Sequence, residues 1–409
     1  MQPTLSLPTG PSRLRYLDGL RGWMALIVVF SHLFRVWLLD PPTLAAQGGD
    51  GLSFWFKWTP LGLLTDGLQA VYIFFVVSGV ALSYPILRSA RPDRTLLGMA
   101  VYRYPRLTVP ILASSLIAWV LLSSGAFRLH EIARHQANAA WWLELYDFPA
   151  RFPAMLKYAL WNVYTPDPPN RESWNIVLWT MPIELQGSFL IFALLAIVRW
   201  RWLRIPLAGA VAIHEVGAGI YGYLVGFLVG YLLAELILVL ERRPAVSDGR
   251  ASRIAGWVLF AAGLACSIRL QVVSFDRPRS DYMMAMNIVA TLVVSGVVLT
   301  SALHRWLSGP ISHFLGRISF GLYLTHFLVI CSFSSTLYLA LIDVLPYGLV
   351  VALVGGLSLP AALAAGYAFT LLVEEGALPR IKRPLRAAAS RSSDLAYSFV
   401  RSSVLRILP

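Results

Sequence analysis

Arg21 and His32 stand eleven residues apart in the stretch YLDGLRGWMALIVVFSHLF, Tyr16 to Phe34. On an α-helix that spacing is about 16 Å of rise and close to three whole turns, so both side chains share one face at different depths. An imidazole, with its ordinary pKa of about 6.5, can take up and return a proton at neutral pH. A guanidinium stays charged and binds anionic oxygens in pairs. Both are costly in lipid, so inside an apolar run they face a bundle interior or a wet cavity and are candidates for function. The plain alternatives are a topology anchor for Arg21, its head reaching the interface, and a packing histidine for His32.

Three further places carry similar chemistry. Glu184 lies about ten residues into an apolar run, in LWTMPIELQGS, behind Pro182, which removes a helical hydrogen bond and favours a kink. His326 follows Arg317 by nine residues in LGRISFGLYLTHF, again about halfway across a membrane at 1.5 Å per residue. Three ionisable groups from three segments thus share a layer, either as a reaction site or as an inter-helix hydrogen-bond cluster. In YRYPRLTVP, Arg103 and Arg106 open another apolar run. Pro105 suits the first turn of a helix but biases Tyr104 away from helical geometry, so at this membrane edge the two arginines either share a helix face or fork from a turn. Paired guanidinium groups there suit a phosphate-bearing ligand; plain loop charge is the simpler reading.

The elements that must position these groups are membrane helices. Of 409 residues 57% are hydrophobic and 13% charged, and the mean hydropathy is +0.65. That composition belongs to a polytopic all-α membrane protein. Spans of about 20 residues fall near 20–39, 66–87, 107–126, 174–198, 202–215, 219–240, 254–272, 283–303, 318–342 and 347–373. The fifth is short and is either tilted or re-entrant around His214-Glu215-Val216-Gly217. The net charge of +13 resides in short loops. With an inside N-terminus, alternate segments are all basic: Arg13 and Arg15, then Arg88, Arg91 and Arg94 with Arg103 and Arg106, then Arg199, Arg201 and Arg204, and so on to Arg380, Lys382, Arg383 and Arg386. Ten spans with both termini cytoplasmic satisfy the positive-inside rule, and the charge implies topology and not nucleic acid. The expected division is a cytoplasmic segment over 1–16, a transmembrane domain over 17–375 and a basic cytoplasmic or interfacial tail over 376–409. The first run is too long for a signal peptide and should be retained. The stretch 127–173, with Trp141-Trp142 and PDPP at 166–169, reads as an interfacial, partly helical excursion. Cys266 and Cys331 offer neither a disulfide framework nor metal-ligand spacing, so no metal is expected.

Six blocks in order carry a resemblance to the acyltransferase-3 family of polytopic membrane O-acyltransferases, and to its filamentous-fungal branch in particular. YLDGLRGWMALIVVFSHL matches the opening motif, in which histidine follows arginine after ten residues. VYIFFVVSGVALS (Val71 to Ser83), YRYPRLTVP, LWTMPIELQGS, YLVGFLVGYLLAEL (Tyr223 to Leu236) and LGRISFGLYLTH (Leu315 to His326) resemble the later blocks. Several bacterial relatives carry an aspartate before the paired phenylalanines of the second block. Tyr72 stands there in this chain, so no role for that carboxylate carries over. No esterase-like extracytoplasmic domain is expected after the basic tail.

The resemblance implies transfer of an acyl group, usually acetyl from acetyl-CoA or another acyl-CoA, onto a hydroxyl of a glycan, lipid or small secondary metabolite, at the bilayer. On that reading Arg21, Arg103 and Arg106 hold the CoA phosphates and His32 is the general base. Glu184 orients the imidazole, and His326, Tyr323 or a backbone amide stabilises the oxyanion. A covalent acyl-enzyme is the second mechanistic possibility. Two other classes fit the buried histidines and carboxylate: a proton-coupled transporter of a polar metabolite, and a membrane-bound acyltransferase of an unrelated histidine-containing family.

Overall fold

A computed structural model describes the chain at residues 14–38, 59–135, 143–165, 172–198, 200–218, 222–243, 246, 249–273, 279–382 and 384. Those residues form helices and turns, with no strand among them. The ten long helices are α1 (Arg15–Leu33), α2 (Gly67–Arg88), α3 (Pro92–Ser123), α4 (Met181–Ile197), α5 (Arg201–Ala218), α6 (Leu224–Arg242), α7 (Arg250–Val273), α8 (Arg279–Leu299), α9 (Pro310–Val329) and α10 (Tyr347–Phe369). Eight of them are long and apolar enough to cross a membrane, α4 together with the 3-10 turn Ile176–Thr180 before it. The other two are α1, which carries Asp18, Arg21 and His32, and α5, whose 18 residues include Arg201, Arg204 and Glu215. α5 continues as one helix through His214–Gly217, without a re-entrant break.

Prolines explain two departures from the sequence reading. Pro105 and Pro110 lie inside α3, which runs on through both. Proline is tolerated within spanning helices when neighbouring groups re-satisfy the freed backbone. Arg103 and Arg106 therefore share one helix face, three residues apart, and do not fork from a turn. α3 begins at Pro92 and not near 107, which puts the two arginines about 16 Å and 21 Å along it, Arg103 buried and Arg106 exposed. Pro182 falls in the first turn of α4, where its missing N–H has no helical partner to lose. It starts a helix there and does not kink one.

The helices assemble around α2: 72% of its apolar window is buried in the protein, against 17% for α7, whose Ile254, Trp257 and Val258 stay exposed on an apolar outer face. α2 packs on α1, α6 and α8, while α1 also packs along α9 and α9 along α10. The α1–α9 contact is backbone on backbone. A Cβ at Gly22 would sit 2.4 Å from Gly316 N, and one at Gly316 would sit 2.5 Å from Asp18 O, so any side chain there forces the helices apart.

The segment between α3 and α4 packs back along α3. Trp119 Nε1 donates to Ala150 O (3.1 Å) near the end of α3, the short helix Phe152–Leu160 packs along α3, and Tyr104 Oη donates to Leu160 O. Thr108 and Tyr164 then share a hydrogen bond of 2.7 Å. Trp119 and Tyr104 are fifteen residues apart, so this piece runs roughly 20 Å down the flank of α3. Trp141-Trp142 and PDPP lie outside the described residues.

Candidate active site

The two histidines meet. His326 Nε2 lies 3.1 Å from His32 Nδ1, and their ring centroids are 5.1 Å apart. The close α1–α9 crossing at Gly22 and Gly316 makes the approach possible, since two helices in backbone contact bring side chains ten residues further along within bonding reach. His326 is fully buried and His32 half-buried. The remaining bonds fix the tautomers. His326 Nδ1 lies 3.0 Å from Leu322 O, a carbonyl that only accepts, so Nδ1 carries the proton and Nε2 is an acceptor. His32 Nδ1 faces that acceptor and also Val28 O at 3.0 Å, so it too carries its proton. In neutral His32 the basic nitrogen is then Nε2.

A cavity of about 680 Å³ opens beside this pair. Arg15, Asp18 and Arg21 of α1, Ser78 of α2, Arg103 and Arg106 of α3, Glu184 of α4 and Tyr323 of α9 line it. All three arginines singled out by the sequence thus share one chamber. Among the described residues Arg21 Nε and Arg103 Nε are buried without a hydrogen-bond partner, and neither Arg21 nor Arg106 makes an ion pair. Guanidinium groups that line a chamber without a counter-charge of their own leave it fit for an anionic ligand.

Tyr323 and Thr180 form the inner end of the chamber. Tyr323 Oη donates to Val177 O (2.8 Å) and lies 3.0 Å from Thr180 Oγ1; its ring centroid is 6.1 Å from that of His326. The cavity therefore ends one helical turn short of the histidine pair, and neither His32 nor His326 lines it. The hydroxyl proton of Tyr323 is already committed to a carbonyl, as is Nδ1–H of His326.

Glu184 belongs to the cavity and not to the histidines. Arg103 Nη2 donates to Glu184 Oε2 at 2.5 Å, and Ser78 Oγ donates to Oε1 at 2.8 Å. Glu184, placed by the sequence against the imidazole, is held instead by an arginine and a serine. Ser78 and Glu374 are the residues that sequence reasoning passed over. Glu374, from the π-helical extension Thr370–Ala377 of α10, lines the chamber that holds Arg21 and Arg106, and its Oε1 accepts from Thr370 Oγ1 at 3.1 Å. The signal for it was a carboxylate pair, Glu374-Glu375, at the end of an apolar run. At the mouth Arg317 and Glu375 form a two-pronged ion pair, 2.7 Å and 2.6 Å, and both stay accessible.

Known proteins resemble most of the chain. It is 26% identical to O-acetyltransferase PaAT-1 of Phomopsis amygdali, the alignment covering 76% of this chain and 71% of that protein. It is 24% identical to acyltransferase clz18 of Cochliobolus lunatus and 24% identical to an acyltransferase of Phoma sp., each alignment covering 81% of this chain and 86% of the relative. No solved structure matches it. A family model described as an acyltransferase domain matches residues 14–372, which is most of the length and includes Arg21, His32, Ser78, Arg103, Arg106, Glu184, Tyr323 and His326, while Glu374 and Glu375 lie just beyond the match. The chain is an acyltransferase, an all-helical multi-pass membrane protein, and it belongs to the acyltransferase-3 family.

Proposed function

We propose that the chain is an acyl-CoA-dependent O-acyltransferase that moves an acetyl group onto a hydroxyl of a glycan, lipid or small secondary metabolite. The observation that carries this reading is the pairing of an arginine-lined chamber with a tautomer-fixed histidine pair one helical turn beyond its inner end. Arg21, Arg103 and Arg106 would bind the phosphates of the donor, since all three guanidinium groups line the chamber and charged N–H donors suit phosphate oxygens. The narrow pantetheine arm then leads the thioester along α1 toward His32, about 16 Å from Arg21 along the helix, and the closed inner end at Tyr323 and Thr180 has to part for it to arrive. The O-acetyltransferase name of one relative supports acetyl as the group transferred.

His32 Nε2 takes the proton of the acceptor hydroxyl as the oxygen attacks the thioester carbonyl, and a C–O bond forms. The C–S bond breaks, and the sulfur leaves with the proton that His32 Nε2 returns. His326 holds Nδ1–H of His32 through both steps, keeping Nε2 as the basic atom and stabilising the imidazolium that forms. The histidine that the sequence placed among oxyanion stabilisers thus serves the base.

The test uses purified full-length protein, acetyl-CoA and extracts containing hydroxyl-bearing metabolites. The expected result is a product heavier by one acetyl group together with released CoA thiol. Transport of a metabolite into vesicles with no acetyl product would favour a carrier instead.

A further inference from the structure

We infer that Glu184 and Ser78 are positioning residues that aim Arg103 at the donor's anionic group; this rests on the reading of Arg103 as a donor-binding residue. Three bonds fix the arrangement. Arg103 Nη2 donates to Glu184 Oε2 at 2.5 Å and toward the backbone O of Glu184 at 3.3 Å. Ser78 Oγ donates to Oε1 at 2.8 Å, so both carboxylate oxygens are engaged. α2, α3 and α4 each supply one member, and the side chains of Arg103 and Glu184 are only 10% and 15% exposed.

A buried ion pair is a poor source of stability, because desolvating two charges cancels most of their attraction. Its use here is geometric. An arginine side chain has four rotors, and holding it still in an open chamber costs conformational entropy each time a ligand binds. With Nη2 pinned to Glu184, the guanidinium plane is set before the ligand arrives; Nε is enclosed without a hydrogen-bond partner among the described residues, and Nη1 is the donor left to face the chamber. A charged N–H held in a fixed direction suits an oxygen of a phosphate or pyrophosphate. Ser78 completes the element by fixing the second oxygen of the carboxylate from the central helix, so the carboxylate cannot rotate away from Arg103.

Glu184 therefore controls how well the donor binds, and the proton transferred at His32 does not pass through it. The experiment is a double-mutant cycle on detergent-solubilised full-length protein. Coenzyme A is titrated by calorimetry, and kcat for acetyl transfer is measured over a range of pH. Glu184→Ala is expected to weaken CoA binding about tenfold, and Ser78→Ala about threefold, the scale of one charge-assisted or one neutral hydrogen bond. Both effects should vanish in an Arg103→Gln background, and the pH profile of kcat should keep its shape. Should Glu184→Ala fail to fold because it leaves Arg103 without its counter-charge, Ser78→Ala alone and in the Arg103→Gln background still decides the matter.

The inference is overturned alone if Arg103→Gln weakens CoA binding while Glu184→Ala and Ser78→Ala bind CoA as the wild type does. A fall in kcat with a displaced pH profile in those variants would instead place Glu184 with the histidines. If Arg103→Gln itself binds CoA normally, the donor-binding reading of the arginine fails, and this inference with it.

Discussion

His326 Nε2 accepts a hydrogen bond from His32 Nδ1 at 3.1 Å, although 294 positions separate the two residues in the chain. If that bond sets the tautomer of the base, His326→Ala should lower the rate of transfer about tenfold or more at saturating donor and leave CoA affinity unchanged. His326→Gln, whose side-chain oxygen can accept from the same N–H, should retain more activity than His326→Ala. Equal rates for the two variants would show that the acceptor at this position is unimportant.

The α1–α9 crossing holds the pair together, so its glycines are a second point of control. Gly22→Ala places a methyl group 2.4 Å from Gly316 N, an overlap that costs about 1–3 kcal/mol by displacing the helices. The expected outcome is a lower melting temperature and a loss of transfer larger than the loss of folded protein. A variant that melts normally and transfers normally would mean that the helices part without moving the histidines.

Glu374 opposes the ligand that the arginines await. Its carboxylate lines the same chamber as Arg21 and Arg106 and interacts with both electrostatically. Glu374→Gln removes one negative charge from a site meant for phosphate and should tighten CoA binding several-fold, with a weaker dependence on salt concentration than the arginines themselves show. Weaker CoA binding in this variant would assign Glu374 a direct contact with the donor.

Much of this arrangement could be read from the chain. The eleven-residue spacing put Arg21 and His32 on one stripe because helix geometry is local, and the apolar runs gave the helices. What depends on how helices cross was not legible. Nothing in LWTMPIELQGS announces that Glu184 faces Arg103, and Pro105 pointed the other way, since a proline that ends helices in water is carried inside a spanning one. That reading put both arginines at the start of their helix, when about three to four turns of α3 precede them. Ser78 passed as a small residue in an apolar helix because a hydroxyl costs little and gains meaning only beside a carboxylate. His326 was placed level with His32, but that the two touch depends on the close α1–α9 crossing at Gly22 and Gly316, which no local pattern announces.

The measurement that tests the centre of this account is His32→Ala, assayed for acetyl transfer, CoA binding and melting on the same purified preparation. The account predicts that transfer is abolished while CoA binding and melting stay close to wild type, because the donor's phosphates would be held about 16 Å away at Arg21. A stable His32→Ala protein that transfers acetyl at the wild-type rate would contradict it.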